Sequence, residues 1–204
     1  MSIKAVVFDY GQVISFPQDP RVLDILAERA GVRREEFEPV LWARRTEYDR
    51  GNIDAREYYT QVLSCLGIKK SIKDIDEMIE IDVESWKKVN PGTVALMEDV
   101  KKAGLKLGIL SNMPHHFLIW ARENIPVFSL PHIGLYSCEV NLVKPEKAIY
   151  EKLLSMLDIS GGELVFFDDI TENINAAVSV GIKAFQWKDP ETARQKLLSL
   201  GLEL

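Results

Sequence analysis

Five short apolar runs, each stopped by polar residues, limit what this chain can fold into more than any other feature. They span Ile3 to Phe8, Leu105 to Leu110, Ile133 to Tyr136, Leu164 to Phe167 and Ile182 to Phe185. The runs are nearly continuous rather than alternating with polar residues, as expected of strands covered on both faces. Most follow a glycine-containing loop and a segment of helical periodicity. Val94, Met97 and Val100 precede Gly104, Ile149, Leu153, Met156 and Leu157 precede Gly161, and Ala176, Ala177 and Val180 lead into Gly181. Each glycine is read as the left-handed residue that ends a helix. Strand and helix in alternation predict an α/β fold, a doubly wound parallel sheet with crossover helices.

The stretch from about Ser15 to Lys88 breaks the alternation. It has no comparable strand run and is far longer than a crossover needs. Helical faces recur through it: Val22, Leu26 and Ala30, then Tyr58 with Val62 and Tyr59 with Leu63 and Leu66, then Ile72, Ile75, Ile79, Val83 and Trp86 between acidic residues. These patterns predict an all-helical insertion, or cap, over 15–88, entered through Pro17 and Pro20 and left near Asn90-Pro91-Gly92. The sheet-forming core is then 1–14 together with 89–204.

With 25 Lys and Arg against 31 Asp and Glu, the net charge of -6 offers no field for a polyanion, so nucleic acid is not an expected partner. Cys65 and Cys138 stand far apart in sequence with no CxxC pair, which suggests neither a disulfide framework nor a zinc site. No apolar run has the length of a membrane span or a signal-peptide core, so no membrane association is expected and a cytoplasmic location is. The sequence is compatible with a monomer or a dimer.

Ligands of an open α/β sheet collect beyond the carboxyl ends of its strands. The first run ends in Asp9-Tyr10-Gly11, the second in Ser111-Asn112 and the fourth in Asp168-Asp169, while Lys144 follows the third. Taken singly, an aspartate at a strand end is as readily a helix cap or turn residue. Four such sites in strand order along one edge point instead to phosphoryl transfer, where catalysis is positioning and charge neutralisation. Asp9 and Asp169 are hard oxygen ligands that, with the Gly11 carbonyl, suit one Mg²⁺. One Asp9 oxygen then stays free as a nucleophile that forms an aspartyl-phosphate. Ser111 and the amides after Asn112 suit phosphate oxygens, and Lys144 adds a positive charge among the carboxylates.

The motifs FDYGQVI, LSN, VKPEKAIY and VFFDDITENINAA together resemble the four motifs of the haloacid dehalogenase superfamily, whose members are mostly phosphatases. The RGNIDAREYY segment is similar to the caps of the branch containing sugar-1-phosphate phosphatases and the phosphatase domain of soluble epoxide hydrolase. The resemblance implies a Rossmann-like core with a helical cap and Mg²⁺ as cofactor. It also implies Asp9 as nucleophile and metal ligand, Gly11 as carbonyl ligand, and Ser111, Asn112 and Lys144 as phosphate binders, with Lys144 neutralising charge. Asp169 would be a direct metal ligand and Asp168 one acting through water. Asn173 matches a recurrent asparagine, for which capping of the following helix is an equal explanation.

Gly11 departs from the pattern, because most such phosphatases carry there a second aspartate as general acid and base. His115, His116, Glu47 and Asp49 are the candidate substitutes. The leading expectation is a Mg²⁺-dependent phosphatase of a small phosphorylated metabolite, a sugar phosphate among the possibilities. A metal-free dehalogenase is disfavoured by the Asp168-Asp169 pair, which needs a cation to neutralise it. A slow, regulatory phosphate-binding protein is kept open by Gly11.

Overall fold

The computed structural model describes residues 2–204. Its five strands are β1 (Ala5–Phe8), β2 (Lys106–Ser111), β3 (Ile133–Tyr136), β4 (Leu164–Asp168) and β5 (Lys183–Gln186), all parallel in the order β3-β2-β1-β4-β5. From β1 the chain builds outward through β2 and β3, then returns to lay β4 and β5 on the other side. The order therefore reverses beside β1, the place where such sheets leave a crevice at their carboxyl ends. Strand alternation sends Val6, Phe8, Ile109 and Phe167 to one face and Ala5, Val7, Leu110 and Phe166 to the other, each face with its own buried cluster. The first is covered by α5 (Pro91–Lys102), α6 (His115–Asn124) and α10 (Pro190–Ser199), the second by α8 (Lys147–Leu157) and α9 (Thr171–Ser179). Both faces being covered explains why the strands read as uninterrupted apolar runs.

Between β1 and α5 lie α1 (Arg21–Ala30), α2 (Arg34–Arg50), α3 (Ala55–Cys65) and α4 (Ile72–Ser85), and a short α7 (Ser137–Val140) follows β3. Leu26, Phe37, Tyr58, Tyr59, Leu63 and Met78 pack between the first four helices, and their cluster continues through Tyr10, Ile14 and Phe117 into the first face of the sheet. The two segments joining helices to sheet run side by side. Ser15 bridges Val89 in antiparallel sense, with Phe16 N donating to Lys88 O and Asn90 N to Ile14 O, each at 2.8 Å.

Three details depart from the sequence reading. Ile72 opens α4 and is 67% exposed, and Met156 near the end of α8 is 44% exposed, because terminal turns of a helix have less of a neighbour to face. Helix α8 ends not on Gly161 but on Asp158, which takes the left-handed conformation itself (φ 52). Gly161 serves a close approach, since a Cβ there would lie 2.6 Å from the Gly181 carbonyl carbon. Cys65 and Cys138 are both free thiols, and among the described residues no helix is long and apolar enough to cross a membrane.

Candidate active site

The strand ends converge as their sequence positions suggest. Asp9 follows β1, Asp168 closes β4, and with Asp169 they bring carboxylate oxygens within 4.8 Å of one another. Lys144, its side chain 2% exposed, reaches into this group, Nζ standing 2.8 Å from Asp9 Oδ1 and 2.6 Å from Asp168 Oδ2. The ammonium also lies over the Phe166 ring. Its backbone is held by Asn112, whose side chain accepts from Lys144 N (2.8 Å) and donates to Lys144 O (2.9 Å). Asn112 thus joins the loop after β2 to the loop that carries the lysine. Ser111, at the end of β2, is buried beside this group.

Asp168 is fully buried and fully bonded. One oxygen accepts from Ile170 N (2.8 Å), and Asn173 Nδ2 donates to both oxygens (3.0 and 3.1 Å). The capping explanation for Asn173 is therefore replaced: Ile170 occupies the N-cap of α9, and Asn173 fixes Asp168. Asp169 is held by two glutamines, Gln12 Nε2 donating to Oδ2 (2.8 Å) and Gln186 Nε2 to its main-chain oxygen (3.1 Å). Gln12 has φ 59, a conformation that costs a non-glycine residue of order 1 kcal/mol or more. The sequence carried no signal for it, because the strain and the reach to Asp169 appear only when the turn is built.

Three carboxylates against one ammonium leave an excess of negative charge. Burial raises the Asp9 carboxyl to about 7; Lys144 opposes this, while Asp168 and Asp169 add to it. Asp169 is raised as well, by burial and then by Asp168. Burial alone would lower Lys144, but the Asp9 and Asp168 charges outweigh it and hold its pKa above the ordinary lysine value. Such a cluster takes up a proton or a divalent cation, and its all-oxygen donors fit a hard ion such as Mg²⁺.

Gly11 lies two residues beyond Asp9 with ordinary angles (φ -62, ψ 128), and a Cβ there would meet Trp86 Cζ3 at 3.7 Å. The ring of Trp86, just past α4, is thus in ordinary van der Waals reach of a side chain at position 11. Of the four alternative acids, His115, His116 and Glu47 are exposed, while the Asp49 side chain is only 13% exposed. The C-terminal end of α2, which carries Asp49, is clamped to the sheet domain. Arg50 binds both Glu146 oxygens (2.7 and 3.1 Å) and Asn141 O, and Gly51 (φ 83) comes so near α7 that a Cβ would lie 2.8 Å from Cys138 O. A groove of about 1000 Å³ lined by Phe16, Glu80, Ser85 and Lys88 shares no residue with the carboxylate cluster.

The haloacid dehalogenase-like hydrolase family matches residues 3–181. Phosphatase MT3486 of Mycobacterium tuberculosis is 26% identical, the alignment covering 91% of this chain and 87% of that protein. The sesquiterpene phosphatase astK of Aspergillus oryzae is 25% identical, with 92% and 91% covered. Among solved structures, the HAD family enzyme bt-2542 of Bacteroides thetaiotaomicron, in complex with magnesium and inorganic phosphate, shares the fold with a TM-score of 0.75 at 20% identity, covering 92% of this chain and 96% of that one. The match over residues 3–181, on a parallel sheet whose strand ends gather these carboxylates and this lysine, makes the chain a member of the haloacid dehalogenase-like hydrolases and an enzyme of that family.

Proposed function

We propose that the chain is a Mg²⁺-dependent phosphatase of a small phosphorylated metabolite, acting through an aspartyl-phosphate on Asp9. The observation that carries the proposal is the grip of Lys144 on Asp9 and Asp168 beside Asp169, with Ser111 on the neighbouring strand end. Asp9, Asp169 and the Gly11 carbonyl would hold the cation, and the ion would supply charge neutralisation for the phosphoryl oxygens. Asp168, whose oxygens are already taken by Lys144, Asn173 and Ile170 N, adds its charge and fixes the lysine in place of the water-mediated role the sequence suggested. Lys144 draws the transferring group toward Asp9 and restrains the nucleophile, while Ser111 donates to a phosphate oxygen. Asn112 contributes chiefly by holding Lys144 in place. The helices over 15–88 act as a cap that selects the leaving group, with sugar phosphates among the fitting substrates, in a cytoplasmic setting. The magnesium and phosphate of the bt-2542 complex and the phosphatase names of both relatives support this reading. The dehalogenase alternative is weaker, because Asp168 and Asp169 beside Asp9 demand a cation that halide displacement does not use.

The test is a panel of phosphomonoesters assayed with Mg²⁺ and with excess chelator, using Asp9→Asn as the blank. Activity should require the metal, vanish in Asp9→Asn, and shift to higher Mg²⁺ concentration in Asp169→Ala. Full turnover in chelator would remove the metal from the reaction.

A further inference from the structure

Gly11 carries no carboxyl to protonate a leaving group, and Trp86 beside it begins a chain of polar contacts. The Trp86 ring that covers Gly11 donates its indole N–H to Asp82 Oδ1 (3.3 Å). Asp82 Oδ2 accepts from Arg45 Nη1 (3.2 Å), and Arg45 Nε donates to Asp49 Oδ1 (2.8 Å). A connected chain of contacts therefore leads from the position that lacks a carboxyl to the Asp49 carboxyl on α2. Asp49 is pinned from the other side: its carbonyl accepts from Ser137 Oγ, which itself accepts from Met113 N (2.9 Å), two residues past Ser111. Its charge is felt by Lys144, the same ammonium that grips Asp9. The Asp49 side chain is 13% exposed, and the Arg45 contact is made to Oδ1.

We propose that Asp49, supplied by the cap, is the general acid and base of the reaction. The proposal rests on the phosphatase reading above and adds to it the owner of the missing role. In the first half-reaction an Asp9 oxygen bonds to phosphorus, the bond from phosphorus to the leaving oxygen breaks, and the Asp49 carboxyl gives that oxygen its proton. In the second, the Asp49 carboxylate takes a proton from water as the water oxygen bonds to phosphorus. The acyl phosphate bond then breaks and returns Asp9 as carboxylate, so ester and water have become alcohol and phosphate. Burial favours the protonated form that the first step needs, against the pull of Arg45. Arg45 also keeps Asp49 in place through an ion pair whose partners are both largely buried.

The experiment compares wild type, Asp49→Asn and Asp82→Asn on a series of phosphomonoesters running from 4-nitrophenyl phosphate to simple alkyl phosphates. A group that protonates the leaving oxygen matters most when that oxygen is basic. Asp49→Asn should therefore lower kcat/KM on alkyl esters about 10²-fold to 10³-fold and on the nitrophenyl ester by under about 10-fold. Asp82→Asn disturbs the same ion network and should lower all substrates in parallel. The wild type supplies a check independent of any variant's folding, since its kcat/KM should depend only shallowly on leaving-group pKa. A steep dependence in wild type, an equal loss across the series in Asp49→Asn, or the same selective loss in Asp82→Asn would each overturn the assignment. Inactivity of wild type on every phosphate ester would instead strike at the phosphatase reading itself.

Discussion

Lys144→Met tests whether the lysine is a structural counter-charge as well as a reactive one. Its Nζ sits within 2.8 Å of two carboxylates, Asp168 being fully buried and Asp9 nearly so. Methionine fills most of the space but leaves both acids without their cation, and breaking a buried pair in this way costs about 3–5 kcal/mol. In a chain of 204 residues that corresponds to a melting point lower by about 10 °C. The loss should depend on pH in a fixed direction. The Asp9 carboxyl is raised from 3.8 to about 7 on folding, so between these values the folded state holds more protons than the unfolded one. Stability from this group therefore falls as pH rises from about 4 to about 7. Lys144 stays charged throughout that range, its pKa being held above the usual lysine value. Without Lys144 to oppose the rise, Asp9 should keep its proton to still higher pH, so the variant's deficit should be smaller near pH 5, where the unpaired Asp168 remains, than near pH 8. Urea unfolding in chelator at pH 5, 6.5 and 8, followed by tryptophan fluorescence, measures both. A deficit under about 1 kcal/mol at pH 8, or one that is equal at pH 5 and pH 8, would refute the reasoning.

Asp9→Asn should abolish turnover yet raise the melting temperature near pH 8 in chelator and flatten the pH dependence between 4 and 7, because it removes the carboxylate whose ionisation burial disfavours. A lower melting temperature at pH 8 would contradict this. Gly51→Ala should cost about 1–3 kcal/mol, since φ 83 is strained for alanine and the new Cβ would lie 2.8 Å from Cys138 O. Limited proteolysis should then find the junction between α2 and α7 loosened, and an unchanged melting temperature would mean that the close approach relaxes freely.

The sheet was legible because strands buried on both faces leave an uninterrupted apolar signature, and Phe8, Ile109 and Phe167 have nowhere polar to point. The ends of those runs also located Asp9, Ser111, Asp168 and Asp169, since a residue that ends a strand is placed by the strand itself. What was not legible depends on loops meeting across long separations. Asn112 binds the main chain of Lys144, Asn173 holds Asp168 and Gln12 holds Asp169. Each of these is a polar side chain whose partner is set by backbone direction, which periodicity does not encode. Ile72 and Met156 were misplaced for a related reason: a helical face predicts burial only as far as a neighbouring element extends.

Gly11 shows how the two kinds of information combine. The sequence marks it as a departure but offers no reason, and conformation supplies none either, because φ -62 suits any residue and a Cβ would find ordinary contact at 3.7 Å. The reason lies in what stands above it. Trp86 lies beside it and is tied through Asp82 and Arg45 to Asp49, so on the proposed assignment the helices over 15–88 supply the carboxyl that position 11 lacks. An acid carried by the core is in place whatever the cap does, whereas one carried by α2 is in place only while Arg50 and Gly51 keep that helix seated on the sheet domain. Under the proposed role of Asp49, proton transfer depends on the seating of α2 against the sheet, and a leaving group that prevents that seating would be rejected at the chemical step as well as at binding.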